Sequence, residues 1–509
     1  MKKRILVTGS FLTLLAAVAF VQRAPSQQAV SSVKAPKQAA SNATPRSAAN
    51  SEVSRTAVAT AEKAGADFTY ISKPSNSQQI ESTLGTPSRE VAYVNVKRLV
   101  EGGEKAALIR PGSHVELSMP DGSTLPLEIK SAEALGDGSY TSEAQVSGSD
   151  AVAVFAVTNG ELSANIDGLE LGSWQVRAIG GSVAQVFKVD PALVPPCGDD
   201  MIDAASKSVP AAGTAPETLG VAAGDVAAGA TTTTSGTFAP SITSSVTATH
   251  TVRILVPYSK KILNTVSSSA VTSGINLAIA TMNTDLARST IPLKVVLAGA
   301  PAITYSQDGT DSSSVAIDRA LTRVTSGTDG IIDSVHCNRY DAKADLVCFL
   351  INQVDSTNSG VGYVLKTPLD AFNPTYAFSV ISYGYLNSSR TFSHEIGHNL
   401  GCAHDRGNAT STEGGSATGS YAYSYGYRFY GKNGTQYRTI MAYPPGQVAA
   451  YYSNPNITAA SPVSVKVGVT VGTSGQAANA QTIAHNEAEV ANYHNSRLVA
   501  RMSRNIRGY

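Results

Sequence analysis

A chain of 509 residues exceeds what one hydrophobic core serves, so two folded domains with linkers are expected. Lys plus Arg number 39 against 38 Asp plus Glu, which leaves no charge excess to hold a phosphate backbone and excludes nucleic acid as a partner. Charged residues are only 15% of the chain, and its Ala-, Ser-, Thr- and Gly-rich stretches suit an exported protein.

Met1, Lys2, Lys3 and Arg4 place positive charge ahead of an apolar run from Ile5 to Phe20, and Ala17-Val18-Ala19 supplies a small-x-small cleavage pattern. Residues 1–24 are therefore expected to be a signal peptide that delivers a secreted protein to the periplasm or the medium. The run is short for a membrane anchor, and no membrane association is expected once it is removed. Residues 25–65 are Ala, Ser, Gln and Pro with almost no large apolar residue and read as a disordered spacer.

From 66 to 200 the pattern changes to short alternating runs such as Val91-Ala-Tyr-Val-Asn-Val and His114-Val-Glu-Leu-Ser-Met, punctuated by Pro-Asp-Gly and Gly-Asp-Gly. This predicts a mainly β domain with Trp174 in its core. Residues 201–249 return to Ala, Gly and Thr and read as an exposed linker open to proteolytic nicking.

The third part, 250–498, alternates strand and helix patterns and predicts an α/β (α+β) domain with a mixed sheet. Val252 to Pro257 reads as a strand, and Val271, Ile275, Ile279, Met282 and Leu286 form one face of a long helix. A strand at 291–297, helical stretches near 314–335, and strands at 345–351 and 375–383 follow. Gln476 to Tyr493 reads as a closing helix, and 499–509 as a solvated basic tail. Of the four cysteines, Cys197, Cys337, Cys348 and Cys402, the pair flanking a short turn, Cys337 with Cys348, is the expected disulfide.

Residues 391–406 carry the chemistry: Thr-Phe-Ser-His-Glu-Ile-Gly-His-Asn-Leu-Gly-Cys-Ala-His-Asp-Arg. On a helix, His394 and His398 lie one turn apart on one face and reach a single cation at about 2.0 Å, with Glu395 beside them. A third ligand at His404 requires the helix to end first, and Gly401 is where it can turn back in the left-handed conformation. Three neutral imidazoles leave one zinc position for water, and Glu395 is placed as general base. Peptide hydrolysis is the reaction this set suits.

The pattern His-Glu-x-x-His-x-x-Gly-x-x-His resembles the metzincin clan of metallopeptidases, whose Met-turn is expected to follow it. Thr439-Ile-Met-Ala-Tyr-Pro does so, with Met441 37 residues after His404. The resemblance implies that Met441 forms an apolar floor beneath the metal. Asp405, after the third histidine, resembles the adamalysin or reprolysin branch and implies support of the site from behind. Tyr443 is similar to the tyrosine of astacins and serralysins and implies a zinc-binding or oxyanion role. The run of tyrosines from 423 to 452 resembles bacterial reprolysin-like enzymes, including the peptidyl-Asp metallopeptidases, from about 251 to 493. By order, 375–383 matches the family's edge strand, which pairs with protein or peptide substrates in extended conformation.

Pro195-Pro196-Cys197-Gly198 resembles the cysteine-switch segment of matrix metalloproteinase precursors, although the family's arginine is absent. It implies that the chain's own propeptide inhibits it by placing the Cys197 thiolate on the zinc. The alternative for Cys197 is a disulfide to Cys402. Calcium stays open, since Asp and Asn are plentiful but no loop has calcium-binding spacing. Two other readings of the whole remain: a zinc-bearing binding or adhesion module without catalysis, and an amidase of cell-wall peptides.

Overall fold

The computed structural model of the chain describes residues 68–508 except 102–107, 137, 199–246, 313–314, 356, 366–373, 410–418 and 462. The expected signal peptide, the spacer and nearly all of the linker lie outside the described residues. Among the described residues no helix is long and apolar enough to cross a membrane.

The N-terminal part is a β domain. Its strands β1 Thr69–Ile71, β2 Ala92–Asn95, β3 His114–Ser118, β4 Thr124–Gly136, β5 Ser139–Val146, β6 Val152–Thr158, β7 Glu161–Gly168, β8 Gly172–Gly180 and β9 Val183–Lys188 form one sheet in the order β1-β2-β9-β8-β7-β6-β5-β4-β3. β3 buries alternate residues, as the sequence pattern requires of a strand with one wet face. β6 is instead buried throughout, because its two faces meet different partners. Ala153, Phe155 and Val157 enter the domain's own core with Trp174, whereas Val152, Val154 and Ala156 pack on Leu277 of the second domain.

The second domain is built on β10 His250–Leu255, β11 Tyr258–Ser259, β12 Leu293–Gly299, β13 Ala302–Ile303, β14 Leu346–Ile351, β15 Gly360–Gly362 and β16 Phe378–Ser382. β12, β10, β14 and β16 run parallel, and β15 lies antiparallel to β16. The long helix Ser268–Arg288 is capped by Ser267, whose side chain accepts from Ala270 N. Val271, Ile275, Ile279, Met282 and Leu286 enter the core, as the spacing predicts. The opposite face carries small polar residues that bond the β domain: Ser273 donates to the Ala156 carbonyl (2.9 Å) and Thr281 Oγ1 accepts from Asn165 Nδ2 (3.2 Å). The helix is thus buried from both sides.

Three expectations need correction. Residues 375–383 do not form the sheet's edge: β16 lies between β14 and β15, and the antiparallel edge strand is Gly360–Gly362. Cys337 and Cys348 are not bonded, and none of the four cysteines is in a disulfide. Cys348 points into the core on one face of β14, while Val335 of the Cys337 helix packs with Val347 and Phe349 on the other, so strand alternation separates the two. The basic end is no solvated tail. It forms the helix Arg497–Arg507, which buries Val499 and Ser503 against Ser334–Asp341 and ties Arg507 to Asp341.

Candidate metal centre and active site

The helix Thr391–Asn399 carries the first two histidines. Phe392, Ile396 and Leu400, four apart, fill the core and fix which face turns outward. The helix is entered through Ser389 and Arg390, both with positive φ (50° and 66°). Arg390 is held there by Asp285 (3.0 Å) and by Asp167 of the β domain (2.7 Å), and Ser393 donates to Asp285 (2.9 Å). An arginine fork bridging two carboxylates offsets the cost of the left-handed backbone.

After Asn399 the chain turns. Gly401 has φ 96°, and a Cβ there would meet Ser420 Oγ at 2.1 Å and Asn486 Nδ2 at 2.5 Å. The turn delivers His404 to within 3.0 Å of His398, Nε2 to Nε2. His394 Nδ1 faces the Ile440 carbonyl and His398 Nδ1 faces the Cys402 carbonyl, each at 2.8 Å. A carbonyl only accepts, so both Nδ1 atoms carry hydrogen and both Nε2 atoms present lone pairs.

Those lone pairs converge. His394 Nε2 is buried without a hydrogen-bond partner among the described residues, and burial, then the neighbouring His398 and His404, hold His394 far below the usual histidine range. Ligands about 2.0 Å from a tetrahedral cation would lie roughly 3.3 Å apart, close to the observed His398–His404 separation. The fourth corner is sulfur. Cys197 Sγ is 3.5 Å from His398 Nε2, and the ligand atoms of Cys197, His394, His398 and His404 all lie within 4.8 Å of one another, all buried. A buried cluster of three imidazoles and a thiol fits a zinc ion.

Glu395 is fully buried beside the cluster. Its Oε2 accepts from Cys197 Sγ (3.3 Å), and burial pushes its carboxyl up to about 8, against the opposing pull of that thiol. The edge strand explains its confinement: a Cβ at Gly360 would fall 2.7 Å from Glu395 Oε1, and one at Gly362 would fall 2.9 Å from the Glu395 carbonyl. Only glycine lets the strand approach this closely. The pair Gly360 and Gly362 escaped the sequence reading; a Gly-x-Gly in an apolar stretch is its one faint signal.

Met441 is fully buried under the helix, and a Cβ at Gly397 would strike its Sδ at 2.5 Å. Asp405, next to His404 in sequence, is buried. It accepts from Arg428 (2.7 Å), Asn408 (2.8 Å) and the backbone N of Tyr443 (3.0 Å), pinning the turn that follows Met441. The Tyr443 ring lies 4.1 Å from that of His404, centroid to centroid, and its hydroxyl donates to the Cys197 carbonyl. Cys402 sits apart in the core, its thiol 3.8 Å from the Asn479 carbonyl and pushed up by burial.

Cys197 arrives on a segment that lies along the edge strand. Ser359 N donates to the Pro196 carbonyl (2.8 Å) and Gly198 N to the Gly360 carbonyl (2.9 Å). The segment adds backbone hydrogen bonds to the open side of β15, as an extended peptide does in strand addition.

A mostly parallel sheet, an antiparallel edge strand beside a helix bearing two imidazoles, and a third imidazole from the turn beyond it match the arrangement expected of the metzincin pattern. Residues 248–461 match the model of the metallo-peptidase family M12, in its reprolysin form. Three relatives carry the name peptidyl-Asp metalloendopeptidase. Two, from strains of Stenotrophomonas maltophilia, are 30% identical over 222 and 246 residues, 43% and 47% of this chain and 46% and 52% of theirs. One from Xanthomonas campestris pv. campestris is 29% identical over 47% of this chain and 51% of its own. The chain thus spans about half the length of the curated relatives it matches. A solved structure described as a chaperone-substrate complex aligns with 48% of this chain and 39% of its own at 17% identity, with a TM-score of 0.35, too low to bear on the fold.

Proposed function

We propose that the chain is a secreted zinc-dependent endopeptidase, made latent by its own N-terminal β domain and the segment that ends in Cys197. The observation that carries the reading is the convergence of three imidazole nitrogens and one thiol beside a buried carboxylate, Glu395. His394, His398 and His404 would hold the zinc. When bound, the metal supplies Lewis acidity, which polarises a carbonyl and acidifies water.

The chain's own groups do the rest. Glu395, the carboxylate beside the cluster, takes the proton of the attacking water and returns it to the departing amine. The Tyr443 hydroxyl, once released by the Cys197 carbonyl, donates to the oxyanion. Ser359 N and the Gly360 carbonyl, which now bond 196–198, pair instead with an extended substrate. Met441 and Asp405 keep the floor and the Tyr443 turn in place. The names of the relatives support cleavage at aspartyl residues, and the N-terminal charge pattern supports export.

The test is cleavage of an unfolded protein by the chain nicked within 199–246, with products read by mass spectrometry. Cleavage abolished by a chelator and restored by zinc supports the reading; cleavage indifferent to both refutes it.

A further inference from the structure

The cleft in front of the metal cluster is lined by Cys197, Ser359, Thr391, His394, Glu395 and Tyr443 among others, and by one arginine, Arg438. Histidines aside, Glu395 and Arg438 are the ionisable side chains of opposite sign among its described lining residues. Glu395 is committed to the proton traffic proposed above. Arg438 has no such assignment.

We propose that Arg438 is a specificity-determining residue that binds the carboxylate of an acidic substrate side chain beside the scissile bond. The inference rests on the peptidase reading and adds the group that would read the substrate.

Arg438 is 6% exposed, so its charge sits largely out of water. The other arginines around the site have carboxylate partners: Arg390 has Asp285 and Asp167, and Arg428 has Asp405. Arg438 has none within salt-bridge distance among the described residues. Asp405, the carboxylate whose charge it feels, is already held by Arg428, Asn408 and Tyr443 N. A buried cation without a counter-ion is costly, and such groups gather where a ligand supplies the missing charge.

The guanidinium is also pre-aimed. Nε donates to the Gly446 carbonyl (3.2 Å) and Nη1 to the Ala442 carbonyl (2.7 Å), which fixes the plane of the fork. Among the described residues no hydrogen bond reaches Nη2, whose two hydrogens are left for a cleft occupant. His394 lines the same cleft. A rigid fork with a vacant edge matches a carboxylate better than an amide, because a charge-assisted pair is about twice as strong as a neutral one.

The experiment uses the zinc-loaded chain nicked within 199–246 and two peptides that differ only in Asp or Asn beside the scissile bond. The wild type is expected to favour the Asp peptide by roughly ten- to a hundredfold in kcat/KM, the range of one charge-assisted hydrogen bond. In Arg438→Gln, which keeps donors for the two carbonyls, the preference collapses while the Asn peptide is still cut; Arg438→Lys keeps part of it. As a measure independent of any variant, an N-acetylaspartate amide inhibits the wild type more strongly than its asparagine counterpart. A wild type indifferent to Asp, or an Arg438→Gln chain in which both peptides slow together at an unchanged ratio, overturns the proposal and leaves Arg438 as a brace for the Met441 turn. No cleavage of either peptide by the wild type instead refutes the peptidase reading beneath it.

Discussion

Cys197 bonds Tyr443 through its carbonyl while its thiol stands 3.5 Å from His398 Nε2, so a single residue covers both the proposed metal position and the proposed oxyanion donor. Removing the thiol alone leaves the backbone contacts of 196–198 in place but opens the fourth ligand corner. The uncut Cys197→Ala chain should therefore cut an unfolded substrate at least ten times faster than the uncut wild type, as a fluorogenic assay would report. Equal rates would separate latency from Cys197.

Gly360 makes a sharper mechanical case. A methyl group there lies 2.7 Å from Glu395 Oε1 and 2.9 Å from its Cγ, and the carboxylate is fully buried with Cys197 on its other oxygen. Overpacking of this kind costs about 1–3 kcal/mol. Gly360→Ala should lower Tm by several degrees and kcat by more than tenfold, with less effect on KM. A variant with wild-type Tm and kcat would show that the strand stands further from the helix.

Asp405 supports the site through the turn at Tyr443. Asp405→Ala frees Tyr443 N and leaves the Arg428 guanidinium without its carboxylate. Loss of such a supporting group typically weakens metal binding by 10–100-fold. Zinc competition with a chromophoric chelator should show a loss of that order, with the helical circular dichroism unchanged. Wild-type zinc affinity would contradict the bracing role.

Away from the site, His336 makes folding sensitive to acid. It is 2% exposed and donates from Nε2 to the Ser326 carbonyl (3.1 Å), and burial, with Arg339 nearby, pulls it down to about 4. The unfolded chain titrates near 6.5, so between 6.5 and 4 it binds more protons than the folded one. The stabilisation is complete above pH 6.5 and drains away as pH falls toward 4, to a total of roughly 3 kcal/mol at most. His336→Gln should flatten the fall of Tm across that window; an unchanged slope would assign the acid sensitivity elsewhere.

The sequence made the imidazole set legible because the spacing rules are local: i and i+4 on one helix, then a glycine that must turn. The long helix was legible for the same reason, its five apolar positions being one face. What stayed hidden depends on distant contacts. The edge strand has three residues, Gly-Val-Gly, too short for alternation to show, and its meaning lies in Glu395, 35 residues on. The pairing of Cys337 with Cys348 looked natural by proximity in sequence but fails because β14 turns Cys348 to the other face of the sheet. The C-terminal helix was masked by its arginines, and only the pair Val499 and Ser503, four apart, betrays its buried side. Arg438 carries no motif, and its isolation from carboxylates appears only in three dimensions.

In the proposed reaction Glu395 moves the proton of a peptide hydrolysis carried out at the His394, His398 and His404 cluster. The most direct measurement compares the nicked wild type with nicked Glu395→Gln for zinc content by mass spectrometry and for kcat on an unfolded protein. Equal zinc, one per chain, with kcat reduced by at least a thousandfold is the predicted result. Equal zinc with kcat within tenfold of wild type would contradict the account.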